Sequence, residues 1–83
     1  MANALIACRS VTYAQRAVRL LERNGMKASM RKLPADLPET GCGHAVRVKR
    51  DKLTQAIQLM KDSGFPVKYH FCENENSEVV SCL

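Results

Sequence analysis

The groups in this 83-residue chain that could do covalent chemistry are four thiols (Cys8, Cys42, Cys72, Cys82) and two imidazoles (His44, His70). Only Cys42 has a context suited to access. It sits in Gly41-Cys42-Gly43-His44-Ala45-Val46-Arg47. Glycine on both sides removes neighbouring side chains and permits φ > 0, so a partner molecule could approach the sulfur closely. An accessible thiolate is a nucleophile, and cationic neighbours or a helix N-terminus favour it. The plainer alternative is a tight Gly-Cys-Gly turn leading into a strand.

The other candidates group around this thiol. Arg47 is a base that could neutralise a bound anion. Arg9, Ser10 and Thr12 follow Cys8 and stand where a helix is expected to begin. Cys8 reads either as a buried strand-end thiol or as a resolving partner for Cys42. His44 could serve as a base, although adjacent strand positions point to opposite faces, and the plainer reading is a loop histidine. His70 has no ligand spacing. Cys72 and Cys82 read as incidental. The cysteines lie 34, 30 and 10 residues apart, with no Cys-x-x-Cys pair, which argues against a zinc knuckle. No metal and no cofactor is expected; a metal site shared across a dimer is a further alternative.

Composition sets the outer limits. A chain this short buries one modest core and is too small to enclose a deep cavity alone. Its net charge is +5, with all 13 Lys/Arg and five of eight acidic residues before position 73, and three Glu from position 73 onward. A basic body with an acidic tail suits an acidic protein, a small anion or nucleic acid. The bases are scattered, aromatics are 5% and Trp is absent, which argues against a nucleic-acid stacking surface. No apolar run approaches membrane-spanning length and no leader pattern opens the chain. A cytoplasmic setting with reduced thiols, and no structural disulfide, is expected.

The elements that must position these groups follow in order. Residues 3–8 read as a buried strand, and residues 12–24 as a helix with Ala14, Ala17, Val18, Leu20 and Leu21 on one face and Gly25 ending it. Ser10 or Thr12 is its N-cap. Residues 27–32 read as a strand, 33–43 as a polar loop, and 44–49 as a strand with Val46 and Val48 inward. Asp51 caps a second helix at 52–63, ended by Gly64; residues 66–72 form a fourth strand. The order β-α-β-β-α-β gives an α+β, ferredoxin-like plait: a four-stranded antiparallel sheet in the order 4-1-3-2, with both helices on one face. Residues 1–72 make one domain, and 73–83 are an acidic tail, frayed or packed as an extra element. Right-handed crossovers then bring Cys8, Cys42 and the first helix N-terminus to one end of the sheet, and Cys72 to the other. The open sheet face could support a homodimer.

The residues 10–14 (Ser-Val-Thr-Tyr-Ala), the helix end Leu20-Leu21-Glu22-Arg23-Asn24-Gly25 and the loop Gly41 to Arg47 together resemble the selenium/sulfur carrier-like family of small bacterial proteins. The resemblance spans residues 3–72. In that family the cysteine of the Cys-Gly pair is the proposed carrier residue, a role that falls on Cys42. The Ser10-Val11-Thr12 turn would supply hydroxyls near it. His44 stands where the family often has an apolar residue, so no histidine mechanism is implied. The resemblance implies a carrier of persulfide sulfur or selenium, rather than a stand-alone enzyme, serving donor and acceptor proteins. The basic body suits docking on such partners. Two other readings remain open: a binding module without thiol chemistry, and a Cys8–Cys42 redox switch.

Overall fold

A computed structural model describes residues 3–34 and 43–82. The elements are β1 (Asn3–Cys8), α1 (Val11–Arg23), β2 (Ser29–Lys32), β3 (His44–Lys49), a 3-10 turn (Arg50–Lys52), α2 (Leu53–Asp62), β4 (His70–Glu73) and β5 (Val79–Val80). The class is α+β. The strands form one antiparallel sheet in the order β2-β3-β1-β4-β5. The expected order of four strands is contained in it, but the sheet has a fifth strand, so the four-stranded description is corrected.

β1 explains most of the packing. It pairs with β3 on one side and β4 on the other, and five of its six residues are buried. Alternate side chains go to opposite faces. Ala4, Ile6 and Cys8 join Val46, Val48 and Cys72 against Ala14, Ala17 and Leu21 of α1 and Ala56 and Met60 of α2. Leu5 and Ala7 join Ala45 and Leu33 on the second face, with Phe71 and Val79 beside them. Leu5 and Ala45 are closed to solvent within the single chain. The open apolar face expected as a dimer surface is therefore not found at these positions.

The helices begin and end for local reasons. Ser10 is extended, and its hydroxyl accepts a hydrogen bond from the Tyr13 backbone N–H at 3.2 Å, which caps α1. Gly25, at φ 78°, lets the chain turn so that the Met26 N–H reaches the Leu21 carbonyl at 3.0 Å. Gly64, at φ 85°, ends α2 in the same way, with Phe65 N–H bonded to the Met60 carbonyl at 2.9 Å. Asp51 does not cap α2. It lies inside the 3-10 turn, and α2 starts without a side-chain cap. Edge-to-face contact of Tyr13 and Phe65, centroids 5.9 Å apart, joins α1 to the segment after α2.

The largest correction concerns the C-terminal segment. The Asn74 carboxamide oxygen accepts from the backbone N–H groups of Asn76 and Glu78, both at 2.9 Å, and Ser77 adopts φ 62°. This turn folds the chain back so that β5 pairs with β4, with Cys72 opposite Val80. Cys82 then comes within bridging reach of Cys72, their Cα atoms 4.9 Å apart, and the two form a disulfide. The expectation of no structural disulfide, with both cysteines incidental, is overturned. The reason lies in the hairpin, which a separation of ten residues does not reveal. The Arg50 guanidinium also donates to the Cys82 carbonyl at 2.8 Å.

Closing a loop of this length should contribute about 2–3 kcal/mol. Cys82→Ser should therefore lower the urea midpoint without reducing the slope, and reductant should do the same to the native chain. An unchanged midpoint in the variant would mean that the bond contributes nothing to stability.

Candidate functional site

Of the sequence-derived candidates, Cys8, Arg9, Ser10, Thr12, Gly43 and His44 lie at the end of the sheet where β1 stops. Cys8, the last residue of β1, lies directly opposite His44, the first residue of β3. The Leu33 N–H bonds to the Gly43 carbonyl at 2.6 Å, which closes the base of the β2–β3 connection beside them. Gly41 and Cys42 lie outside the described residues. Gly43 is exposed, and a Cβ built on it would meet nothing within 4 Å. Its φ is not positive, so glycine is not needed here for a left-handed turn. What Gly43 leaves is open space next in sequence to the thiol.

Cys8 is 4% exposed and belongs to the helix-side core, its Sγ donating to the Ile6 carbonyl at 3.6 Å. The next residues turn outward. Arg9 is exposed and its guanidinium carbon sits 5.4 Å from the Tyr13 ring centre. Ser10 is committed to the cap, and Thr12 is exposed in the first turn of α1. That turn carries no acidic residue, so the positive end of the helix is not offset by a carboxylate of its own. Among the described residues, no group of three His, Cys, Asp or Glu could hold a metal ion.

Two exposed apolar side chains at this end were not singled out in the sequence. Val11, first in α1, is 42% exposed, and Tyr69 is 38% exposed. The Ala7 N–H bonds to the Tyr69 carbonyl at 3.0 Å, which holds Tyr69 beside the end of β1. Periodicity could not find either residue, because exposure at a strand end depends on which neighbours the fold brings.

Arg47 sits elsewhere. It lies opposite Leu5 and Ser29, three positions along β3 from His44, or about 10 Å on a strand. Its guanidinium donates to Glu73 Oε2 at 2.9 Å, Arg31 donates to the same oxygen at 2.5 Å, and Asn3 donates to Oε1 at 3.1 Å. Glu73 is only 2% exposed. Its burial would raise its pKa. The hydrogen bonds from Arg47, Asn3 and Arg31, together with the charge of Arg47, outweigh that and hold the pKa below the ordinary carboxylate value. Glu73, which the sequence reads as the first residue of a tail, is therefore a buried carboxylate that anchors two half-buried arginines.

Residues 3–72 match the family described as "Putative Se/S carrier protein-like". The chain belongs to that family. No curated protein and no solved structure matches it. In this Se/S carrier-like protein the matched span runs from β1 to Cys72, so it takes in Gly41, Cys42 and Gly43 and leaves out Glu73, β5 and Cys82. Among the described residues of this carrier-like chain, no helix is long and apolar enough to cross a membrane.

The Glu73 network has a pH signature. A carboxylate with a depressed folded pKa contributes stability above its unfolded pKa and loses it as pH falls through the folded value. Stability should therefore decline with acidification from about pH 5 downward. Glu73→Gln should remove part of that slope and cost about 1–3 kcal/mol at neutral pH. Denaturant titrations across pH check this; an unaltered slope in the variant would contradict it.

Proposed function

We propose that this protein carries sulfane sulfur or selenium on Cys42 between a donor and an acceptor protein. The match over residues 3–72, which contains Gly41-Cys42-Gly43, is the observation that carries this reading. The exposed Gly43, the uncompensated start of α1 and the exposed Arg9 beside the end of β1 support it.

The chemistry is two successive displacements. The Cys42 thiolate attacks the outer sulfur of a donor persulfide, and the donor leaves as its thiolate. Cys42 then holds a persulfide. An acceptor thiolate attacks that outer sulfur, and Cys42 leaves as a thiolate. No net oxidation occurs, and a donor bearing a terminal selenium on sulfur follows the same balance. Such transfer needs an accessible thiolate and a poor steric shield rather than a deep pocket. The α+β arrangement suits this, since the start of β3 lies opposite the end of β1, just before the start of α1. Donor and acceptor dock through the basic body, where electrostatics speeds encounter.

The test is mass spectrometry of the whole chain and its peptides after incubation with a cysteine desulfurase and cysteine. One added sulfur at Cys42, absent in Cys42→Ser, is expected. An unmodified Cys42, or sulfur spread evenly over several cysteines, would favour a binding module without thiol chemistry. Gly43→Ala should alter stability by no more than about 1 kcal/mol, because its Cβ meets nothing. The same change should slow transfer to a protein acceptor; an unslowed transfer would show that the glycine gives no access.

A further inference from the structure

We propose that the outer face of α1 is the docking groove for an acidic segment of the donor or acceptor protein, an inference that rests on the carrier reading above. Arg16, Arg19 and Arg23 are exposed on α1. With Leu20, Phe65 and Ser63 they line an open groove of about 760 Å³. Glu22 is the carboxylate in its described lining. Among the described residues the ion pairs go to Glu73, so no described carboxylate neutralises these three guanidiniums. Leu20 and Phe65 are half-buried and give the groove an apolar centre.

From Phe65 in the groove, ring contacts lead toward the end of β1. Positions 13, 16, 20 and 23 recur at three- and four-residue spacing, which is one stripe along α1, and Arg9 lies just before the helix starts. Arg9 stacks on Tyr13, and Tyr13 meets Phe65 edge-on. Arg9 directly follows Cys8, whose strand partner is His44. α1 has 13 residues and is about 20 Å long. A segment lying along this stripe therefore has one end beside the strand ends that flank the Cys42 connection.

The occupant is set by charge and shape. Carboxylates at intervals would meet the three arginines, and an aliphatic side chain between them would cover Leu20 and Phe65. Nucleic acid fits less well, because Tyr13 and Phe65 are turned edge-to-face against each other rather than presented for base stacking. A second copy is disfavoured by a net charge of +5 on each chain.

The experiment is a titration of the ¹⁵N-labelled full chain, followed by amide shifts, with a short synthetic peptide alternating Glu and Leu. Saturable shifts confined to α1 and Phe65 are expected. Affinity should fall by about tenfold or more when Arg16→Glu, Arg19→Glu and Arg23→Glu are combined, and should weaken with salt. Arg19→Glu alone should show a smaller loss, which guards against misfolding of the combined variant. Several results would overturn the proposal. These are shifts scattered over Lys49, Lys52 and Lys68, undiminished binding by the combined variant, equal binding of a Gln-Leu peptide, tighter binding of oligothymidylate, or self-association of the chain through its own acidic hairpin. Loading of Cys42 from a small persulfide donor needs no docking. Measured on the native protein, it fails only if the carrier reading itself fails.

Discussion

β1 is hydrogen-bonded along both edges and covered on both faces, and the remaining elements take their places from it. Its pairing with β3 fixes Cys8 against His44 and aligns the return of the β2–β3 connection. Its pairing with β4 fixes Ala4 against Cys72, and so fixes where the C-terminal hairpin can reach. A one-residue slip would exchange Ala4, Ile6 and Cys8 for Leu5 and Ala7 on the helix side. Cys8 would then leave the helix-side core. The chemistry at one end and the latch at the other thus share one register.

The two ends of the sheet are built differently. At the end where β1 stops, side chains turn outward: Arg9, Val11, Thr12, Gly43 and Tyr69 are exposed, and the core closes with Cys8. Toward the other end, polar groups are drawn in. Glu73 is buried under Arg31, Arg47 and Asn3, and Cys72 is bonded to Cys82. A buried ion cluster is costly to assemble and strongly destabilising to break. The disulfide and the β4–β5 hairpin hold the carboxylate in the place where both guanidiniums can reach it.

Helices and central strands were legible in the sequence because their signals are local. Ser10 before an amphipathic run, Asn24-Gly25 after it, and the Val46/Val48 alternation each carry their own physical reason. The strand order followed from crossover handedness. The misses were non-local. Nothing near Glu73 in sequence announces two arginines, 42 and 26 residues away, that fold onto it. Cys72 and Cys82 looked incidental because the Asn74 turn that brings them together depends on a backbone shape with Ser77 at positive φ. Arg47 was read with Cys42 because they are close in sequence, but a strand carries it away along the sheet. Tyr69 and Val11 became visible only as exposed side chains beside the end of β1.

The Cys-Gly pair within the matched family span, the open space at Gly43 and the cationic start of α1 support the proposal that Cys42 is the carrier thiol. Cys8 serves as the last core residue of β1. The most direct measurement is the rate at which Cys42 and Cys8 of the native, non-reduced chain are alkylated at neutral pH, each compared with its rate in denaturant. The proposed carrier role predicts that Cys42 reacts first, and faster in the folded chain than in the unfolded one, since sulfur transfer needs an accessible thiolate. Alkylation of Cys42 no faster folded than unfolded, or slower than that of Cys8, would contradict it.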